Sequence, residues 1–140
     1  MTNEAVVRRF YDQLWNRWQL EIANEVVSPA IHFRGSLGTV CKSREEFKRY
    51  VEGIRVVFPD WHNRIDEMLA SGDRIVTRMT WTGTHRGSLG DLQPTGSYVE
   101  YSGAAFFRLA DSLIEEAWVV GDTQELWRSL GALPPASTSG

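Results

Sequence analysis

The sequence predicts an α+β domain: an antiparallel sheet curved around helices, closing into a cone with an internal pocket. Three observations carry this. Apolar residues recur at helical spacing in the first part of the chain. The period changes to two after Trp61. Hairpin signals then recur at Ser71-Gly72-Asp73 and Ala110-Asp111-Ser112. Helices early and a meander late give the α+β class. A curved sheet around a long helix leaves a concave face that can enclose a pocket.

The elements follow in order. Val6, Val7, Phe10, Tyr11, Leu14, Trp15 and Trp18 form a helical stripe that Thr2 or Asn3 can cap. A shorter pattern through Ile22, Val26 and Val27 stops at Ser28-Pro29. Ala30 to Gly38 reads as a short strand ending in glycines. Ser43 and Glu46 form a capping box for a second long helix, whose stripe is Phe47, Tyr50, Val51, Ile54 and Phe58; Pro59 ends it. Trp61 to His85 gives two strands, and Arg86 to Ser97 a Gly- and Pro-containing loop. Tyr98 to Val120 gives a second hairpin, followed by a short helix from Thr123 to Leu130. The domain is expected over residues 1–131, with residues 132–140 as a disordered tail.

Composition narrows the function. The 140 residues suit one domain; apolar residues are 42% and charged residues 24%. The net charge of −3 comes from interspersed acids and bases, with no stripe for nucleic acid and no basic membrane patch. No apolar run approaches the roughly 20 residues of a membrane span. The amphipathic, acid-containing start is unlike a signal peptide. One cysteine, Cys41, excludes an internal disulfide and fits a reducing compartment, so a cytoplasmic location is expected. Six tryptophans suit a filled core, an interface or a pocket for a flat apolar ligand. His32, His62 and His85 lie in separate segments without close ligand spacing, so no metal site is expected.

Strand alternation sorts the candidate site residues. Ile75, Thr77, Met79, Trp81, Gly83 and His85 share a face, which the polar opposite face marks as inward. In the last strand Ile114, Glu116, Trp118, Val120 and Asp122 share a face, barring a bulge at Gly121. If Trp118 points inward, so does Asp122. A carboxyl buried there has its pKa raised and can exchange a proton in catalysis. His85 could polarise a carbonyl oxygen. Asp122 also stands directly before a helix, where Asp is a favoured cap, and both roles stay open.

The stretches "FPDW" (Phe58 to Trp61), "GDRIVTRMTWTGTHRGSLGDLQPTG" (Gly72 to Gly96), "YSGAAFFRLADSLIEEAW" (Tyr101 to Trp118) and "GDTQELWRSLG" resemble SnoaL-like polyketide cyclases, cone-shaped α+β proteins of the nuclear transport factor 2-like superfamily. The resemblance reaches to about Gly131. It implies a homodimer and a cofactor-independent intramolecular aldol closure of an aromatic polyketide ester. Asp122 would be the general acid/base and His85 its neighbour in the pocket. The family's glutamine two positions before that histidine is Gly83 here, and its pocket asparagines give way to His32 and Arg34 on the first strand. Substrate contacts are expected from Trp81, Trp118, Phe58, Trp61, Tyr101, His32 and Arg34. Some relatives are linked to hydroxylation, and "WHNRI" and "GAAFFR" lie as close to that side. Three functions therefore compete: an enzyme acting on a flat apolar carbonyl compound, a non-catalytic binder of such a compound, and a dimerisation module whose hollow is filled by side chains.

Overall fold

A computed structural model describes residues 1–134. Helix α1 spans Asn3–Arg9, and Thr2 caps it by accepting the Ala5 N–H at 3.1 Å. The helix then widens into a π segment, Phe10–Trp15. A 3₁₀ turn (Leu20–Ile22) and α2 (Ala23–Val26) lead into β1 (Val27–Arg34) and β2 (Val40–Cys41). Helix α3 spans Arg44–Val57. Ser43 Oγ accepts the Glu46 N–H at 3.1 Å, and the Glu46 carboxylate accepts the Lys42 N–H at 3.0 Å. The reciprocal cap is thus made, with the second donor one residue earlier than in the usual capping box. Strands β3 (His62–Ser71), β4 (Arg74–Thr84), β5 (Tyr98–Ala110) and β6 (Leu113–Gly121) precede α4 (Thr123–Ser129).

The six strands make one sheet in the order β2-β1-β6-β5-β4-β3. Every pairing is antiparallel except β1 with β6, which is parallel. That pair is non-local, and no turn signal announces it. The turn between β5 and β6 is two residues, Asp111 and Ser112, both at positive φ (52° and 62°). Two such residues match the right-handed twist of a hairpin.

Aromatic packing sets the concave side. Phe47 of α3 is fully buried, with its ring 5.4 Å from Phe10, 4.9 Å from Phe33 and 6.1 Å from Trp15. The helix therefore fills one end of the cone and leaves the other end open for a hollow. The backbone N–H groups of Arg86 and Gly87 both bond to the Val57 carbonyl, at 2.8 and 3.1 Å, latching the loop after β4 onto the end of α3. At the C-terminus, Gly131 (φ 68°) and the Ala132 N–H bond to Trp127 O, at 3.1 Å, close α4. The tail expected from residue 132 falls mostly on residues 135–140, outside the described residues.

In the antiparallel part of the sheet, two strands carry an extra residue. On β3 it is Asp66, whose carboxylate accepts Thr80 Oγ1–H at 2.6 Å and Arg64 Nε–H at 2.7 Å. On β6 it is Glu115: Arg108 pairs with Glu116, and Leu109 already pairs with Ile114. This bulge shifts the alternation of the whole last strand.

Candidate functional site

The concave face encloses a hollow walled by Phe10, Tyr11 and Trp15 from the N-terminal helix, Phe33 from β1, Tyr50 and Ile54 from α3, and Phe58 and Trp61 just after α3. Its floor is a row across three strands: Asn63 of β3 pairs with Trp81 of β4, which pairs with Tyr101 of β5. The cavity is narrow, about 40 Å³, room for a few waters. A ring-sized ligand must part the aromatic walls. Ser36 and Leu37 line both this hollow and a wide open groove between the 34–39 and 89–92 segments, α4 and residues 132–134.

Glycines make room for the ring. A Cβ on Gly103 or Gly121 would fall 2.6 or 3.2 Å from the Trp81 indole, so these two positions hold that ring flat across the floor. At Gly35 a Cβ would fall 2.6 Å from the Tyr50 hydroxyl. At Gly83 it would meet Trp61 and Phe58 at 3.1 and 3.2 Å. The position that the resemblance gives to glutamine is thus packed under two rings, with no space for a longer side chain.

The polar end of the hollow is phenolic. Tyr101 Oη lies 3.3 Å from Ser36 Oγ, and the Tyr50 hydroxyl abuts Gly35. Burial pushes the Tyr101 phenol up to about 12 despite the Ser36 contact, and burial, with Tyr101 and Cys41 nearby, drives Tyr50 well above the usual tyrosine range. Desolvation disfavours the phenolate. Both hydroxyls are therefore protonated at neutral pH and can act as donors. Among the described residues, no carboxylate or imidazole lines the hollow.

The structure separates the residues singled out in the sequence. Phe58, Trp61, Trp81 and Tyr101 line the hollow. Trp118 does not: it is 45% exposed on the outer sheet face, because the Glu115 bulge turns Ala117, Val119 and Gly121 inward instead. Asp122 goes with Trp118. Its carboxylate is exposed and accepts the Glu125 N–H at 3.1 Å as the cap of α4. The inward face assigned to Trp118 and Asp122 is thereby corrected. His32 is exposed on the outer side of β1. Arg34 lies over the Trp118 ring at 4.8 Å, donates to Val119 O at 3.0 Å, and borders only the outer groove.

His85 is fully buried but outside the hollow, 5.8 Å from the Phe58 ring. Its Nδ1 accepts the Thr95 N–H at 3.1 Å, which fixes the ring proton on Nε2. With His85 N–H bonded to Ser97 O and Gly96 N–H to His85 O, the histidine ties down the 85–97 loop. It is also remote from Asp122. Asp122 N–H bonds to Ser102 O in β5 and His85 N–H to Ser97 O just before it, five residues apart along the chain. At about 3.4 Å per residue that is roughly 17 Å. The two cannot act on one atom.

Asn63 is one of the polar lining residues that the sequence reading missed, with Ser36, Tyr11 and Tyr50. It is 4% exposed. Alternation from Trp61 gives it the same inward face.

A curved sheet closed over an aromatic hollow with a few inward polar groups defines a cone-shaped protein of mixed α and β structure, an architecture suited to enclosing a pocket. The sequence profile of the SnoaL-like polyketide cyclases matches residues 5–130, and the chain belongs to that family. Comparison with curated proteins finds no significant match. Among solved structures it is similar to AclR, a candidate hydroxylase from Streptomyces galilaeus, at 29% identity, covering 97% of this chain and 85% of that one with a TM-score of 0.80. It is also similar to a candidate SnoaL-like polyketide cyclase from Jannaschia sp. (20% identity, 94% and 93% covered, TM-score 0.85) and to IdmH, a candidate polyketide cyclase from Streptomyces antibioticus (23%, 94% and 100%, 0.82). The last two likenesses show the fold. Among the described residues no helix is long and apolar enough to cross a membrane.

Proposed function

We propose that this protein is a cofactor-independent cyclase-type enzyme for a flat, apolar, carbonyl-bearing compound such as an aromatic polyketide intermediate. The observation that carries this reading is the pair of buried phenols, Tyr50 and Tyr101, at the polar end of an otherwise aromatic hollow. The rings of Trp81 and Trp61 hold the flat substrate. The phenols donate hydrogen bonds to the carbonyl oxygen, whose negative charge grows as a water admitted to the hollow takes the proton of the neighbouring carbon. Preorganised donors in a water-poor site stabilise such an enolate strongly. The enolate carbon then attacks a second carbonyl of the same molecule and closes the ring, and the new alkoxide oxygen takes the proton back from that water. In this reading Asp122 acts as a helix cap and His85 as a loop anchor.

The test is turnover of an aromatic polyketide ester by Tyr101→Phe. Loss of one such donor lowers kcat by about 10²–10³, with melting temperature nearly unchanged because the 3.3 Å contact to Ser36 is weak. Full turnover by Tyr101→Phe ends this mechanism. A second reading, hydroxylation of the polyketide skeleton, is favoured by the 29% identity to AclR. A product heavier than the substrate by one oxygen would select it, whereas aldol closure conserves mass.

We also propose a homodimer through the outer sheet face. Phe106 and Trp118 are directly opposed on β5 and β6 and are 47% and 45% exposed, with Val120 beside them. An apolar patch of this kind on a folded surface marks an interaction site.

A further inference from the structure

The π segment ends at Asn16, whose backbone N–H bonds to Tyr11 O at 2.8 Å. Such wide turns are rare and recur at functional sites. Here the turn brings the Asn16 side chain against the start of β3. Asn16 Oδ1 accepts the Asn63 backbone N–H at 2.8 Å, and Asn16 Nδ2 donates to the Asn63 carbonyl at 2.9 Å. A backbone N–H can only donate and a backbone carbonyl only accept, so these two bonds fix which end of the Asn16 amide is oxygen.

That assignment propagates. Asn16 Oδ1 also takes the Asn63 side-chain Nδ2–H at 3.1 Å. Asn63 therefore spends its amide nitrogen on Asn16, which leaves Oδ1 to the hollow it lines. Among the described residues no donor reaches that oxygen. That oxygen opens to the hollow, where it can take its hydrogen from a water or from a ligand.

We infer that Asn63 is a specificity-determining residue whose Oδ1 accepts a hydrogen bond from a hydroxyl on the ligand ring, and that Asn16 is the positioning residue that aims it. The inference rests on the hollow being a ligand site, as proposed above, and it narrows the ligand to hydroxyl-bearing flat aromatics. The row Asn63-Trp81-Tyr101 then reads the two edges of one ring: an acceptor for a hydroxyl on one side and phenol donors for a carbonyl on the other, two strand spacings or about 10 Å apart at the backbone.

The test uses naphthol and naphthalene as paired probes, read by quenching of tryptophan fluorescence from Trp15, Trp61 and Trp81. Wild-type protein is expected to bind naphthol about tenfold more tightly than naphthalene, since an acceptor already aimed into the hollow gains a fixed donor. Asn63→Leu brings the ratio to about one. Asn16→Leu does the same without touching the hollow, while leaving the affinity for naphthalene unchanged. A merely structural role would weaken both probes alike, so the ratio separates aiming from folding, and near-ultraviolet circular dichroism checks the fold of each variant. Equal wild-type affinities would overturn the inference while leaving the hollow a ligand site. Binding of neither probe would overturn both.

Discussion

Raising the pH tests whether the phenols in the hollow are the protonated donors that the mechanism needs. Burial holds the Tyr101 phenol near 12, and burial drives Tyr50 and Tyr11 higher still. In the unfolded chain a tyrosine loses its proton near pH 10. Below about pH 10 both states keep these protons, and the three residues add no pH dependence. Above it the unfolded state sheds protons that the native state retains, so stability falls as pH rises. Each phenol removes about 1.4 kcal/mol per pH unit. For Tyr101 this reaches about 3 kcal/mol by pH 12, where its own folded pKa ends the effect.

Tyr11 and Tyr50 have the same slope over that interval, so the three together remove roughly 4 kcal/mol per pH unit. Two units remove about 8 kcal/mol, which is all or most of the stability of a domain in the lower and middle part of the usual range of about 5–15 kcal/mol. Cooperative unfolding is therefore expected between pH 10 and 12. The assay follows phenolate absorbance and tryptophan fluorescence in one titration. The buried phenols should ionise together with the change in fluorescence, and Tyr101→Phe should lower the slope by about a third. Ionisation of three or more tyrosines near pH 10 with native fluorescence intact would refute the reasoning. The phenols would then be accessible to solvent, and their place as buried donors would be lost.

Asp122→Asn is expected to keep both stability and turnover, because Asn caps as well as Asp, while Asp122→Ala costs about 1 kcal/mol in chemical denaturation and still turns substrate over. Loss of turnover in Asp122→Asn would restore the carboxyl to the chemistry. Trp118→Glu puts a charge in the middle of the outer apolar face, so light scattering should show a dimer in the wild type and a monomer in the variant, with the far-ultraviolet spectrum unchanged. A wild-type monomer at micromolar concentration would reject that interface.

Much of the fold was legible because its signals are local. Ser43 and Glu46 announce α3 and cap it. The Gly72-Asp73 and Asp111-Ser112 turns sit where turn chemistry puts them. The site was legible only in part. The inward face of β4, with Trp81, follows from alternation. Asn63 could have been found the same way, but the bonds that orient it come from Asn16, 47 positions away. The parallel pairing of β1 with β6 is likewise non-local. The main error came from one residue. Glu115 resembles its neighbour Glu116, and nothing in composition distinguishes a bulged glutamate from a paired one.

That single residue supports a last prediction. Ile114 is fully buried and opposes Leu109, while Ala117, two places past the extra Glu115, is also buried and opposes Phe107. If Glu115 is truly supernumerary, deleting it makes Ile114, Glu116 and Ala117 consecutive. Simple alternation then already puts Ile114 in, Glu116 out and Ala117 in, with every present cross-strand pair retained. The deletion should be tolerated, with a modest loss on the scale of an ordinary substitution, about 1–2 kcal/mol, because the bulge also bends the strand. A regular strand makes the opposite demand: removing one residue would turn every side chain on one side of the cut to the wrong face. Deleting Val119, within the regular part of β6, is the control: it sets Ile114 and Ala117 against Gly121 and α4 in parity and should abolish folding. Equal collapse of both deletions would mean that β6 has no spare residue, and the outward placement of Trp118 and Asp122 would fall with it.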